Sequence, residues 1–130
     1  MIDPILTNLP TVAAAAGLLG LVVAWLIYAY VRRQSPGTDA MRELGELIHD
    51  GAMTFLRREY TVLLPFLAVI AVLLGVLIGW NTAVAYLAGG LCSVLAGFFG
   101  MKSATRANTR TSEAARSSGQ ALALRIAFNG

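Results

Sequence analysis

The chain has 130 residues, of which 57% are hydrophobic and 13% are charged, and its mean hydropathy is +0.68. A soluble domain of this length could not bury so much apolar surface, so the composition indicates a membrane protein. The net charge of +3 does not indicate a nucleic-acid partner, because the basic residues flank apolar segments and no aromatic stacking platform lies among them.

The basic residues are confined to two regions of the chain. All ten Lys and Arg residues lie within Arg32–Arg58 or Lys102–Arg125, and long apolar segments precede and separate these regions. Because basic residues concentrate on the cytoplasmic side of membrane proteins, both regions are predicted to be cytoplasmic. The expected fold class is an all-α membrane protein with three transmembrane helices and the start of a fourth.

The first transmembrane helix is predicted over residues 10–31, after an extracytoplasmic segment at 1–9. About 22 residues would span about 33 Å, enough for the hydrocarbon core with a slight tilt. Pro10 suits the first turn of a helix, and Thr7 or Asn8 is expected to cap it. Aromatic residues typical of a membrane interface gather towards its end: Trp25, Tyr28 and Tyr30.

Residues 32–60 are predicted to be a cytoplasmic loop that contains an amphipathic helix. Breaker residues at 34–39 indicate a turn, and from Met41 onward apolar residues recur at intervals of three and four. This helix is expected to run on into the second transmembrane helix, residues 61–79, where Pro65 is expected to introduce a kink.

The second half of the chain is predicted to return through the membrane. An uncharged connection at 80–82 leads to the third transmembrane helix, residues 83–101. Residues 102–120 are predicted to be a basic cytoplasmic loop, in which the small polar stretch 112–119 is expected to be irregular. Residues 121–130 turn apolar again and are interpreted as the start of a fourth transmembrane helix, so the chain is expected to be a fragment of a longer protein.

Small residues recur every four positions in each predicted membrane helix. This spacing lets helix backbones approach closely in lipid. A transport seam is the alternative, but packing is favoured because no ionisable residue lies in the middle of a span, and ion pathways normally need one. The rows are Ala16-Gly20-Ala24, Ala71-Gly75-Gly79, Ala85-Gly89-Ser93-Gly97 and Ala96-Gly100-Ala104.

Four basic residues after the third span form the first candidate site. Lys102, Arg106 and Arg110 are spaced by four residues, as on one side of a helix that continues past the membrane. Together with Arg116 they could bind a phosphate-bearing ligand or act as a topological stop that contacts lipid headgroups. The second interpretation is favoured, since a phosphate site normally also shows a Gly-rich cradle or a helix N-terminus.

The remaining polar candidates favour structural roles. Glu46 and Asp50 lie one helical turn apart and could share a cation such as Mg²⁺, but they are interpreted as the solvated face of the amphipathic helix. His49 has no second His or Cys nearby and is not expected to be a ligand. Glu59 is expected to pair with the preceding arginines or with another helix, and Cys92 to be a packing residue. No catalytic, cofactor-binding or metal-binding residue is assigned.

Three ordered segments carry a family resemblance. GAMTFLRREY at 51–60, AGFFGMKSATRANTRTSEAAR at 96–116 and the closing AFNG at 127–130 resemble segments of the membrane-bound, ion-translocating inorganic pyrophosphatases. The resemblance covers residues 41–130, while the first span fits by position and hydropathy.

The resemblance implies a homodimer in the cell membrane, with about sixteen membrane helices per subunit and an extracytoplasmic N-terminus. It also implies Mg²⁺-dependent hydrolysis of diphosphate that drives H⁺ or Na⁺ outward, with the dependence on K⁺ left open. The family's Asp-rich motifs and gate residues lie on later helices, so this chain is expected to supply outer structural helices and to be inactive alone.

The competing hypothesis is a complete, small membrane scaffold. Such a protein would associate with a partner through its small-residue faces, and Leu at Gly89 or Gly97 would then disrupt its oligomers. The apolar end of the chain argues against this hypothesis, because it would leave a partly formed span without partners.

Overall fold

The structure is a computed structural model that describes residues 3–130. Within these residues it consists of helices and short connections, without strands, which confirms the all-α prediction. The helices are α1 (Asp3–Arg33), α2 (Asp39–Leu77), α3 (Trp80–Ser117) and α4 (Gln120–Asn129).

Three of these helices are long and apolar enough to cross a bilayer. The most apolar windows of α1, α2 and α3 have mean hydropathies of 2.2, 2.6 and 1.8, and few of their residues are buried within the described chain. The three predicted spans therefore each lie on one continuous helix, and their apolar surfaces are open to lipid or to other helices.

The first helix begins earlier than predicted. α1 starts at Asp3, so Pro10 lies inside the helix and the expected cap at Thr7 or Asn8 is wrong. A proline is tolerated here because Pro10 is only in the third turn, where it removes a single backbone hydrogen bond close to the helix end. Pro4 follows the first helical residue, a position at which a missing N–H costs little.

The polar segment and the second span form one helix, as predicted. α2 runs from Asp39 through Pro65 without interruption. Its N-terminus is capped by Thr38, whose hydroxyl accepts a hydrogen bond from the Met41 amide at 3.4 Å. The predicted turn is confirmed at residues 34–38.

The connection between α2 and α3 is shorter than predicted. It consists of Ile78 and Gly79, whereas Trp80 and the two residues after it already belong to α3. Gly79 has a φ of 144°, which glycine adopts readily, and its amide donates to the Leu74 carbonyl at 3.0 Å. The chain therefore reverses over two residues, and α2 and α3 pack as an antiparallel hairpin.

The loop predicted at 112–119 is wrong, because α3 remains helical through Ser117. Hydrogen bonds within the helix satisfy its polar side chains: the Ser112 and Ser117 hydroxyls donate to carbonyls four residues earlier, and Arg116 pairs with Glu113 three residues earlier. The chain turns at Ser118 and Gly119, the latter with a φ of 90°.

The apolar core lies where the end of α1, the part of α3 after Met101 and α4 meet. Val31 at the end of α1 is fully buried against the outer part of α3 and against α4, which runs back along α3 until Gly130 lies against Ala107. The buried residues of this cluster are Val31, Ala107, Ala114, Ala123 and Ile126. This cluster fixes the end of α1 relative to the α2–α3 hairpin.

Candidate functional site at the polar end of the helices

The charged residues of the hairpin collect at one end, which we call the polar end and define as residues 32–58 and 102–125. Glu46 on α2 accepts a hydrogen bond from Arg106 on α3, with 2.6 Å between Oε1 and Nη1. Both side chains are partly exposed, so the pair contributes little to stability but fixes the pairing of the two helices. Glu46 and Asp50 are both exposed, as expected for the solvated face of the amphipathic helix, and Glu46 in addition pairs with Arg106.

A buried hydrogen bond joins the same helices one turn nearer to the predicted spans. His49 Nδ1 lies 2.8 Å from the Thr105 hydroxyl. The hydroxyl also lies 2.9 Å from the Met101 carbonyl, and when it donates to that carbonyl it accepts its second hydrogen bond from the Nδ1–H tautomer of His49. His49 thus joins α2 to α3, and its lack of a ligand role stays a prediction.

Arg110 connects α3 to the turn after α1. Its Nε donates to the Gln34 carbonyl at 3.2 Å, and its Nη1 donates to the Arg106 carbonyl at 2.6 Å. Burial, together with the nearby charges of Arg106 and Arg32, lowers the pKa of Arg110 from its ordinary value. The arginine remains charged, because its ordinary pKa lies far above neutral pH.

Glu113 is buried beside the same turn. It receives two hydrogen bonds from Arg116, at 2.9 and 3.0 Å, in the bidentate arrangement that arginine favours with carboxylates. Its carboxylate also lies close to Gly37, whose φ of 88° closes the α1–α2 turn. These hydrogen bonds from Arg116 hold the pKa of Glu113 below its ordinary value of 4.5.

We expect the polar end to lose stability in acid. A carboxyl group whose pKa is lower in the folded state stabilises the protein above its unfolded pKa, and this contribution disappears as the pH falls through the folded value. The thermal midpoint of the wild-type chain is followed by circular dichroism between neutral pH and about pH 3. It should decrease once the pH is below the ordinary pKa of 4.5. Glu113→Gln should have a lower midpoint at neutral pH and a flatter acid profile; an unchanged profile would contradict this assignment.

The four basic candidates do not converge on one ligand. Lys102 Nζ lies over the Phe98 ring, 5.8 Å from its centroid, and Arg116 is paired with Glu113. Arg106 and Arg110 are neighbours, but Arg106 is bound to Glu46 on α2 and Arg110 is bound to the Gln34 carbonyl in the turn after α1. A phosphate clamp made of all four residues is therefore not formed.

The remaining sequence candidates stay apart from this cluster. Within residues 3–130 no three His, Cys, Asp or Glu side chains are grouped as a metal site requires. Cys92 is exposed, and Glu59 is exposed and forms no ion pair with the described residues, the preceding arginines included. An open groove of about 840 Å³ runs between Asp50 and Leu64, at the boundary of polar and apolar surface.

Several residues that connect the helices at the polar end were not predicted from the sequence. Thr105, Gln34 and Glu113 act through partners on other elements or through a backbone carbonyl, so their spacing along the chain gives no signal. The i, i+3 spacing of Glu113 and Arg116 was the one local signal, and it would also have predicted a helix there.

The small-residue rows contribute unequally to helix packing. Gly75 on α2 packs against Trp80 and Ala83 on α3, Ala71 is buried, and Gly90 packs against Leu67. By contrast, Gly89 has no side-chain neighbour within 4 Å among the described residues, and the same holds for Gly17, Gly20 and Gly100. The contacts between α2 and α3 thus form a hairpin, and several of its small-residue positions have no neighbour among the described residues.

Comparison with known proteins agrees with the resemblance of the three segments. The sequence model of the family described as inorganic H⁺ pyrophosphatase matches residues 18–130. A Clostridium tetani protein, provisionally named a K⁺-stimulated pyrophosphate-energized sodium pump, is 44% identical over 115 residues, which are 88% of this chain and 17% of that protein. The chain is also 41% identical over 114 residues to a K⁺-stimulated pyrophosphate-energized sodium pump of Thermotoga maritima, covering 87% of this chain and 16% of the relative.

Proton pumps are among the relatives as well. A K⁺-insensitive pyrophosphate-energized proton pump of Moorella thermoacetica is 38% identical over 117 residues, which are 89% of this chain and 17% of that protein. The chain thus spans about a sixth of the length of these relatives. Since the family match extends over most of its residues, the chain belongs to the inorganic H⁺ pyrophosphatase family.

Proposed function

We propose that this chain is the N-terminal part of a membrane pyrophosphatase that couples diphosphate hydrolysis to outward pumping of protons or sodium ions. The observation that carries the proposal is the family match over residues 18–130. The names of the relatives supply both ions, and they include K⁺-stimulated and K⁺-insensitive pumps. Three helices of membrane-spanning length support a multi-pass protein of the cell membrane.

Within that protein the chain supplies structural helices. The α2–α3 hairpin is already held by Glu46–Arg106 and His49–Thr105, whereas the faces that carry Gly20 and Gly89 have no neighbour in the described chain. We infer that these faces receive the remaining helices of the same protein or the second subunit of a homodimer. The N-terminus is extracytoplasmic and the polar end cytoplasmic, in keeping with the positions of the basic residues.

The proposed reaction requires Mg²⁺, but we infer that the described residues do not bind it. The described residues do not fit a Mg²⁺ site, because no group of potential ligands is assembled and Glu46 is engaged by Arg106. Diphosphate and its metal ions are therefore bound by the part of the pump that this chain does not cover.

Two experiments test the proposal: reading the gene beyond Gly130, and transport assays of the complete protein in membrane vesicles. Reading the gene beyond Gly130 should reveal further membrane helices and Asp-rich motifs, and the complete protein in inverted vesicles should accumulate ions when diphosphate and Mg²⁺ are added. Parallel assays with Na⁺, with K⁺ and with a proton ionophore identify the transported ion. The 130-residue chain alone should release no phosphate from diphosphate; Mg²⁺-dependent turnover by it, or a complete protein without diphosphatase activity, would overturn the proposal.

A further inference from the structure

Arg110 carries a positive charge that its own hydrogen bonds do not neutralise. Both of its acceptors, the carbonyls of Gln34 and Arg106, are uncharged. A guanidinium has five N–H donors, so three of them make no hydrogen bond with the described residues. The two bonds fix the orientation of the group, and its remaining donors are therefore presented in a defined geometry.

The surroundings of Arg110 add positive charge. Arg110 is bound to the Arg106 carbonyl one helical turn earlier and to the carbonyl of Gln34, which lies two residues after Arg32. The charges of Arg106 and Arg32 both lower the pKa of Arg110. Glu46 is the one described carboxylate that acts on Arg110, and it is already bound by Arg106. Arg106 and Arg110 therefore have Glu46 as their one described carboxylate, and an anion placed beside them and Arg32 would relieve the repulsion among the three guanidinium groups.

The depth of this cluster in the membrane points to the kind of anion. Arg32 directly follows the apolar part of α1, and its guanidinium carbon lies 5.9 Å from the centroid of the Tyr28 ring. Tyr30 packs beside Val31 against the outer part of α3. Aromatic residues at the end of a span lie at the level of the lipid headgroups, which places Arg32 at that level. Arg110 is bound to the Gln34 carbonyl two residues further on, so Arg110 and the adjacent Arg106 lie at the same end of α1, within reach of lipid phosphates.

We propose that Arg32, Arg106 and Arg110 form a binding site for the phosphate of an anionic phospholipid. Arginine suits this ligand because its planar fork can bind two phosphate oxygens at once. The site goes beyond the proposed pump activity and does not depend on it, since it requires only that the polar end lies at a membrane surface. Anionic lipids enriched in the cytoplasmic leaflet would then hold α1 and α3 together at their junction.

The test measures lipid binding by the full chain. The purified chain in a neutral detergent is titrated with phosphatidylglycerol or with phosphatidylcholine, and the bound lipid is counted by native mass spectrometry. We expect preferential retention of phosphatidylglycerol, and about a fivefold weaker affinity in Arg110→Gln, as loss of one basic residue at a charged surface predicts. The matched control is Arg58→Gln, an exposed arginine of the same end outside the cluster, which should change the affinity by less than about twofold.

Two further arms keep the result decisive. Glycerol 1-phosphate and inorganic phosphate should not displace the lipid at equal concentration, because they lack the acyl chains that hold the phosphate at this depth. If Arg110→Gln loses helix content by circular dichroism, Arg32→Gln replaces it, since the Arg32 side chain contacts the Tyr28 ring on its own helix. Equal retention of both lipids, equal losses in the cluster and control variants, or displacement by the soluble phosphates would overturn the proposal.

Discussion

Replacing Gly45 with leucine is expected to destabilise the α2–α3 hairpin by about 1–3 kcal/mol, the usual cost of overpacking a close contact. A Cβ atom at Gly45 would lie 2.6 Å from Thr109 Cγ2 and 3.6 Å from Thr109 Cβ, so the Thr109 side chain occupies the space that a larger side chain at position 45 would need. Both partners belong to long continuous helices, and neither can move away locally.

The control for this experiment is Gly51→Leu on the same helix. A Cβ atom at Gly51 has no neighbour within 4 Å, so leucine fits there. Because glycine is a poor helix former, this substitution should stabilise the helix by up to about 1 kcal/mol. Unfolding of both variants by SDS in mixed micelles, followed by circular dichroism, should give changes of opposite sign; equal changes would show that the contact with Thr109 does not exist.

Thr105→Val is expected to cost about 1–3 kcal/mol, the penalty for leaving a buried donor without an acceptor. His49 is 9% exposed, and its Nδ1–H would lose its partner. His49→Phe should cost less, since the Thr105 hydroxyl keeps its bond to the Met101 carbonyl. The same unfolding measurement checks this order.

The double variant His49→Phe/Thr105→Val makes the assignment stricter. It removes the donor together with its acceptor, so it should be more stable than Thr105→Val alone. A double variant whose loss equals the sum of the single losses would contradict a direct hydrogen bond between the two side chains. Helix content before unfolding serves as the control for correct folding.

Hydropathy and charge were sufficient to predict the helical spans because they are properties of contiguous sequence. The ends of helices were less predictable. Composition predicts helix boundaries at Pro10 and at Ser112–Gly119. Instead, α1 tolerates Pro10 near its N-terminus, and α3 satisfies the polar side chains of Ser112 and Ser117 with hydrogen bonds to its own carbonyls. Local composition therefore favoured a break that hydrogen bonds within the helix prevent.

Contacts between residues far apart in the chain could not be predicted from the sequence. His49 and Thr105 are 56 positions apart, and Gln34 and Arg110 are 76 apart, so no spacing rule connects them. A row of small residues identifies a face that can pack, but not the helix that it meets: Gly75 has neighbours in the described chain, and Gly89 has none.

Because α3 is long, a small tilt of this helix moves its C-terminal end by a larger distance. Its 38 residues extend about 57 Å, whereas the hydrocarbon core is about 30 Å thick, so much of the rod projects beyond the membrane. A tilt of about 5° around the centre of the rod would move the tip near Ser117 by about 2.5 Å. Because α4 and the end of α1 are packed on the part of α3 after Met101, small rearrangements inside the bilayer would be transmitted as larger displacements at this end of the helices.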